Sequence, residues 1–125
     1  MGALHGASNS IPTTMHRQIQ ASKHIVIFTG AGISTPCGLP DFRGPRGIWT
    51  LRKKGLPLPP LTTPFFAATP SYTHMAIVTL VYHGLVNFVV SQNVDGLHVR
   101  SGIPLSALAE LHGNCFVVRL MKLYT

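Results

Sequence analysis

The chain has 125 residues, of which 46% are apolar, and this is enough for one small domain with a hydrophobic core. Ten Lys and Arg residues stand against three carboxylates, and the net charge of +7 favours anionic partners such as nucleotides, nucleic acid or acidic proteins. The two cysteines form no CxxC pair, which excludes a disulfide framework and a zinc site built from cysteine.

The first half of the chain predicts a helix, a strand and a long loop. A short helix is expected over residues 12–22, and the apolar run HIVIF at 24–28 predicts a strand that is covered on both faces. The sequence GAG at 30–32 then makes a turn at the end of this strand. Residues 52–63 are first basic and then rich in proline, which predicts a loop without regular structure.

The second half alternates helices and strands. Ser71 is expected to cap a helix that runs to His83, and this helix is apolar almost all round, which predicts that it is buried. Residues 88–91 predict a second buried strand, 105–111 a short helix, and 116–118 the start of a third strand. The order of strand, helix, strand, helix and strand is typical of an α/β fold with a parallel sheet.

The apolar stretch at residues 75–90 also raises the question of a membrane span. Several polar residues interrupt it, and Gly84 is typical of a helix that stops before a strand. We therefore favour a buried helix and strand over a membrane-spanning segment.

The GAG turn suggests a dinucleotide site, but one common class is disfavoured. Hydride-transferring Rossmann enzymes carry GxGxxG and then an acidic residue about 20 positions later. Here Thr35 occupies the third glycine position, and no acidic residue lies between Asp41 and Asp95. Taken alone, GAG is more often a plain tight turn than a phosphate site.

Three polar segments lie beside the predicted strands. GAG follows the first strand, SQNVDGLH at 91–98 follows the second, and ELHGN at 110–114 precedes the third. Loops at the carboxyl ends of parallel strands gather at one edge of the sheet, where ligands bind. The first two loops are therefore expected to form a crevice, whereas the sequence does not show whether His112 reaches it.

Four motifs together resemble the sirtuin family of NAD-dependent protein lysine deacylases. They are GAGIS at 30–34, GLPDFRGPRGIW at 38–49, SQNVDGLHVRSG at 91–102 and ELHGN at 110–114. The residues of these motifs are most similar to those of the nuclear class of the sixth and seventh mammalian sirtuins. The resemblance implies an α/β fold with a partial Rossmann-like parallel sheet and flanking helices.

The resemblance implies three segments in a chain that looks like an N-terminal fragment. Residues 1–20 would be an extension, residues 21–118 a partial sirtuin-type NAD-binding domain, and residues 119–125 a divergent tail.

The resemblance also implies a function. The cofactor would be NAD, and the reaction would transfer an acyl group from a protein lysine, foremost of a histone, to ADP-ribose with release of nicotinamide. Nuclear localisation, chromatin as a partner and a mono-ADP-ribosyltransferase activity are further expectations. The alternative is an inactive truncated sirtuin that binds a partner through its basic surface without catalysis.

Individual residues take roles by the same resemblance. The catalytic residues would be His112, as the general base, and Asn93, which would shape the nicotinamide pocket with Asp95. The remaining residues implied in cofactor binding are Gly30, Ala31, Gly32, Thr35, Asp41, Phe42, Arg43, Trp49 and Gln92. Local patterns alone leave simpler interpretations open: His112 as a capping or surface residue, Asp41 and Asp95 as turn residues, and Trp49 as a core residue.

The chain departs from the family pattern after ELHGN. Sirtuins of this class begin a zinc module there with a CxxC pair, whereas this chain has Leu120 and Leu123 at those positions. Zinc is expected in the family, but its ligands are absent here, as are the later strands of the family domain. We therefore expect the chain by itself to fold poorly or to aggregate, because a partial sheet exposes an edge and an apolar face.

Overall fold

The computed structural model describes residues 13–60 and 63–116. Within these residues the chain forms a three-stranded parallel sheet with helices, which confirms the predicted α/β class. The strands are β1 (Val26–Thr29), β2 (Phe88–Ser91) and β3 (Leu108–Glu110). The α-helices are α1 (Thr13–Ala21), α2 (Ile48–Lys53), α3 (Tyr72–Tyr82) and α4 (Leu97–Arg100), and short 3-10 turns span Ala31–Ile33, Thr35–Cys37, Phe65–Ala67 and Leu105–Ala107.

The register of the sheet places the three strand ends side by side. The strand order is β1-β2-β3, so β2 is central. Thr29 at the end of β1 lies opposite Ser91 at the end of β2, and Ser91 lies opposite Glu110 at the end of β3. Because all three strands run in the same direction, the loops that leave them begin at one edge of the sheet.

Helix α3 forms the crossover between β1 and β2, and its start is where the sequence predicts it. The hydroxyl of Ser71 accepts from the backbone N–H of His74 at 3.4 Å, and His74 Nδ1 accepts from the backbone N–H of Ser71 at 3.2 Å. This reciprocal pair is a capping box with histidine in the place of the usual glutamate.

Only one face of α3 is buried, so the prediction that this helix is covered all round is wrong for this chain. Ile77 and Val78 pack with Val89 of β2 in the main core cluster. Tyr72 at the start of the helix and Tyr82 at its end are exposed at 89% and 67%. Within the described residues, no helix has the length and apolar character that a membrane crossing needs.

Three other predictions need correction. Residues 105–111 form a 3-10 turn and then β3 instead of a helix, because pairing with β2 overrides the local helix preference of leucine, alanine and glutamate. The third strand therefore lies at 108–110. Of the predicted 116–118, Phe116 lies in a turn, and 117–118 lie outside the described residues. Helix α2 extends into the segment predicted as a loop, whereas residues 56–60 are irregular as predicted.

Strand β1 has an uncovered face. Val26 and Phe28 are exposed at 50% and 61%, whereas Val89 of the central strand is fully buried. The expectation that β1 is covered on both faces is therefore wrong. Among the described residues, β1 pairs only with β2, and an apolar strand with an open edge promotes association between chains.

We expect Val26→Thr and Phe28→Thr together to reduce aggregation and hydrophobic-dye binding severalfold, because both side chains face solvent. The free energy of unfolding should change by only about 1 kcal/mol, since threonine keeps a high strand preference. Val89→Thr is the matched control, and we expect it to cost about 2 kcal/mol because it buries a hydroxyl. Unchanged dye binding in the double variant would contradict this account of the β1 face.

Candidate active site

The segment DFRGPRG after the first turn is folded tightly around Asp41. The backbone N–H of Trp49 donates to the carbonyl of Phe42 at 2.9 Å, which returns the segment onto the start of α2. A side chain at Gly44 or Gly47 would overlap the carboxylate of Asp41. Both positions therefore require glycine. These contacts agree with the simpler interpretation of Asp41 as a turn residue.

Aromatic and cationic side chains lie together at the start of α2. The rings of Phe42 and Trp49 are 5.2 Å apart between centroids, and the guanidinium of Arg43 lies 5.3 Å from the Trp49 ring centroid. Trp49 is 52% exposed, so the interpretation of this residue as part of the core is wrong. These three side chains form a solvent-exposed surface with both apolar and cationic character.

The loop after β2 is bonded to the turn after β1 through Asn93. Its amide nitrogen donates to the carbonyl of Gly30 at 3.1 Å and to the hydroxyl of Ser34 at 3.3 Å. Its backbone N–H donates to the hydroxyl of Ser91 at 3.1 Å. Asn93 is only 7% exposed, so these bonds fix its side chain between the two loops.

Asp95 is buried and bonds to the protein itself. Its carboxylate accepts from the hydroxyl of Ser34 at 2.6 Å and from the backbone N–H of Leu97, at the start of α4, at 3.0 Å. In the structure Asp95 supports the loops, and its role in shaping a nicotinamide pocket stays a prediction. Sequence reasoning missed Ser34, because its only signal is a position next to the glycine turn.

His112 reaches the same edge because β3 ends two residues before it. The backbone N–H of Leu111 donates to the carbonyl of Ser91 at 2.9 Å, which extends the pairing with β2. The Nδ1 atom of His112 lies 2.8 Å from the carbonyl oxygen of Gln92. Because a carbonyl only accepts, Nδ1 carries the proton in the neutral ring and Nε2 keeps a free lone pair.

These loops surround a cavity of about 510 Å³, a volume within the usual range for small-molecule sites. Ten of the predicted site residues line it: Gly30, Ala31, Gly32, Asp41, Phe42, Arg43, Trp49, Gln92, Asn93 and His112. Gly44 and Val94 line it as well, although the sequence reasoning did not select them. Thr35 lines a neighbouring cavity of about 480 Å³, and Asp95 is among the lining residues of neither.

Two buried histidines lie beneath the cavity loops. His74 and His98 are 0% and 1% exposed, and their rings meet edge to face with 4.9 Å between centroids. His98 Nε2 lies 2.9 Å from the hydroxyl of Thr29, and the hydroxyl of Ser71 donates to the carbonyl of Ile33 at 2.9 Å. The pair therefore lies between the end of β1 and the start of α3.

Both buried histidines favour the neutral form. Burial and, to a smaller extent, the adjacent His74 lower the pKa of His98 to about 4, while the carboxylate of Asp95 acts in the opposite direction. Burial also lowers the pKa of His74, against the same opposing effect of Asp95. Among the described residues, His74 Nε2 and His98 Nδ1 have no hydrogen-bond partner, so neither ring has the second partner that would stabilise a charged imidazolium.

The two cysteines are free, and they differ in surroundings. Cys37 packs against a cluster that contains Leu39 and Leu97, and burial raises the pKa of its thiol. Cys115, in contrast, is exposed. The ranges 13–60 and 63–116 contain no group of three or more side chains suited to a metal ion, and Leu120 and Leu123 lie outside them.

Comparison with known proteins decides the family. Residues 60–123, half of the chain, match the sequence model of the Sir2 family. The chain belongs to the Sir2 family. The predicted resemblance to sirtuins is therefore confirmed.

Named sirtuins resemble the chain over most of its length. The NAD-dependent protein deacetylase SRT1 of Arabidopsis thaliana is 64% identical over 99 residues, which is 79% of this chain and 21% of that protein. The NAD-dependent protein deacetylase Sirt6 of Drosophila melanogaster is 51% identical over 104 residues, 83% of this chain and 32% of that protein. Human sirtuin-7 is 48% identical over 99 residues, 79% of this chain and 24% of that protein. The chain thus spans about a fifth to a third of these relatives.

Solved Sir2 structures share the fold. A Sir2 variant in complex with a deacetylated p53 peptide and 3'-O-acetyl ADP-ribose superimposes with a TM-score of 0.65 at 32% identity, over 81% of this chain and 46% of that one. A Sir2–p53 peptide–NAD+ complex gives a TM-score of 0.63 at 32% identity, over 84% of this chain and 47% of that one. These likenesses confirm the partial Rossmann-like sheet.

We expect the ring protons of His98 to titrate with a midpoint near pH 4 in NMR spectra, with His98→Gln identifying the resonance. An unfolded histidine takes up its proton near pH 6.5. The contribution of the neutral His98 to the free energy of unfolding is therefore fully present above that pH and is lost as the pH decreases towards 4. Acidification across this range should cost about 2 kcal/mol of unfolding free energy, and His98→Gln should lose less. A His98 midpoint above pH 6 would contradict the buried neutral pair.

Proposed function

We propose that this chain provides the nicotinamide side of the active site of an NAD-dependent protein lysine deacetylase. The observation that carries the proposal is the bond between His112 Nδ1 and the carbonyl of Gln92, which leaves Nε2 free beside the cavity. Relatives named as NAD-dependent protein deacetylases support the assignment. Solved Sir2 complexes with NAD+, or with an acetylated ADP-ribose, support the cofactor.

The residues around the cavity fit NAD. The backbone at Gly30, Ala31 and Gly32 carries only small groups, so a ligand can approach its N–H groups closely. The exposed guanidinium of Arg43 suits a pyrophosphate, and the aromatic ring of Phe42 can cover a flat heterocycle or a sugar. When bound, NAD supplies a nicotinamide leaving group and an electrophilic ribose carbon.

His112 and Asn93 supply the groups that act on the ligands. The neutral imidazole of His112 can take a proton from a hydroxyl at Nε2, and such general-base help typically contributes about 100-fold to 10,000-fold to the rate. Asn93 uses its amide nitrogen for both side-chain bonds to the protein, which leaves its amide oxygen to accept from a ligand. The hydrogen bond from the Ser34 hydroxyl to the Asp95 carboxylate supports the loop that contains Asn93.

The substrate that we propose is an acyl-lysine side chain on a protein. Solved Sir2 complexes contain p53 peptides or an acetylated peptide, which supports a peptide substrate. The motif wording shared with the sixth and seventh mammalian sirtuins supports a histone substrate, a nuclear location and chromatin as the setting. The same site would transfer ADP-ribose if another nucleophile took the place of the acyl oxygen. We further propose that the NAD-binding part spans residues 21–118.

A non-enzymatic role is the second candidate. The chain spans 46% of a solved Sir2 chain, and the face of β1 that contains Phe28 is exposed. Leucine also replaces both residues of the CxxC pair expected by resemblance. A chain of this kind could retain part of the cofactor cavity and bind a partner without turnover.

We expect the chain to release nicotinamide from NAD in the presence of an acetylated histone-tail peptide, measured by chromatography. His112→Ala should lower the rate by about 100-fold or more because the general base is lost. His24→Ala is the matched control, since His24 is exposed and precedes β1 at the opposite end of the sheet. Equal rates for the chain and for His112→Ala would contradict the proposal, and NAD binding without release would favour the non-enzymatic role.

A further inference from the structure

We propose that Glu110 and Asn114 are positioning residues that hold the imidazole of His112 at the edge of the cavity. This rests on the proposed function, in which His112 is the general base. Glu110 and Asn114 are the first and last residues of the motif ELHGN, and neither lines the cavity. They would therefore act on the reaction only through the position of His112.

The imidazole of His112 needs support because the residue is exposed. Its Nδ1 atom donates to the carbonyl of Gln92 at 2.8 Å, but water competes for both groups at the surface. The next residue, Gly113, has a φ of 78°, and glycine moves easily between backbone conformations when no other contact holds it. An exposed ring beside a glycine keeps one position only if further contacts fix the backbone around it.

The side chain of Asn114 supplies such contacts on both sides of this glycine. Its amide nitrogen donates to both carboxylate oxygens of Glu110 at 3.0 Å, and its amide oxygen accepts from the backbone N–H of Phe116 at 3.0 Å. A carboxylate only accepts and a backbone N–H only donates, so the two partners also fix the orientation of the amide. Because the carboxylate is charged at neutral pH, its bond to Asn114 is stronger than one between neutral groups.

The segment that contains His112 is anchored to the loop after β2 at both of its ends. Before His112, the backbone N–H of Leu111 donates to the carbonyl of Ser91 at 2.9 Å. After it, the backbone N–H of Cys115 donates to the carbonyl of Val94 at 2.9 Å. The carbonyl that accepts from the imidazole lies between these two carbonyls in the sequence, so the segment runs along the loop that it contacts.

Gly96 shows how closely Asn114 packs against the same loop. A Cβ atom at this position would lie 3.0 Å from Asn114 Oδ1 and 3.0 Å from Cδ2 of Phe116. The φ of Gly96 is also 65°, in the left-handed region that favours glycine. The side chain of Asn114 therefore has contacts with β3 on one side and with the loop after β2 on the other.

The test reads the tautomer of His112 in proton–nitrogen correlation spectra of the full chain. Asn114→Asp keeps an oxygen that can accept from Phe116, but it removes the donor to Glu110 and places two like charges together. We expect the Nδ1-protonated ring of His112 to give way to a mixture of both tautomers, because the ring is no longer held against the Gln92 carbonyl.

A double variant separates the loss of this bond from a general loss of the fold. Glu110→Gln combined with Asn114→Asp restores the hydrogen bond with the donor and the acceptor exchanged. We expect it to restore the wild-type tautomer of His112. The ring signals of His98 serve as the control for the core, and they should stay at the wild-type position in both variants.

Nicotinamide release then links the position of the ring to the rate. Asn114→Asp should lower kcat by about tenfold to 100-fold, because a displacement of about 1 Å can cost that much, and it should change the KM for NAD by less than about threefold. Asn87→Ala is the matched control, since the Asn87 side chain accepts from the backbone N–H of Ile25 at 2.8 Å at the opposite end of the sheet. It should leave kcat within about threefold of the wild-type value.

Two results would overturn the proposal. They are a His112 tautomer that does not change in Asn114→Asp, and a double variant that behaves like Asn114→Asp instead of the wild-type chain. The spectra do not depend on turnover. If the chain releases no nicotinamide, the proposed function fails, whereas the tautomer still decides whether Glu110 and Asn114 position the ring.

Discussion

The site depends on the parallel pairing that brings Thr29, Ser91 and Glu110 level at one edge of the sheet. Each of these residues ends a strand, and the segment that follows each strand contributes to the same cavity. A shift of β3 by one residue would reverse its faces and displace His112 from Gln92. Backbone pairing between residues far apart in the sequence therefore determines the position of the His112 imidazole.

Buried polar groups then fix the loops that the sheet has brought together. Asn93 and Asp95 join the loop after β2 to the turn after β1. The neutral pair of His74 and His98 packs between the end of β1 and the start of α3. In so small a core, each of these bonds matters because an unsatisfied buried group costs about 1 to 3 kcal/mol. The cavity thus owes part of its shape to Asp95, His74 and His98, which do not line it.

Structural features that depend on short sequence patterns were predicted correctly. Features that depend on contacts between residues far apart in the sequence were not. Ser71 as a helix cap and residues 88–91 as a strand follow from short patterns and are confirmed. Strand β3 was mistaken for a helix because Leu108, Ala109 and Glu110 favour helices until β2 pairs with them. The uncovered face of Phe28 was also missed, since an apolar strand does not reveal whether other segments cover it. The roles of the cavity residues rest on resemblance and stay predictions.

The tautomer of His112 tests the central claim most directly, because it reports whether β3 delivers the ring to Gln92. Long-range proton–nitrogen correlation spectra distinguish the two ring nitrogens of a neutral histidine. The account predicts that Nδ1 carries the proton and that Nε2 is unprotonated. A neutral His112 with its proton on Nε2 would contradict it, since Nδ1 could not then donate to the Gln92 carbonyl.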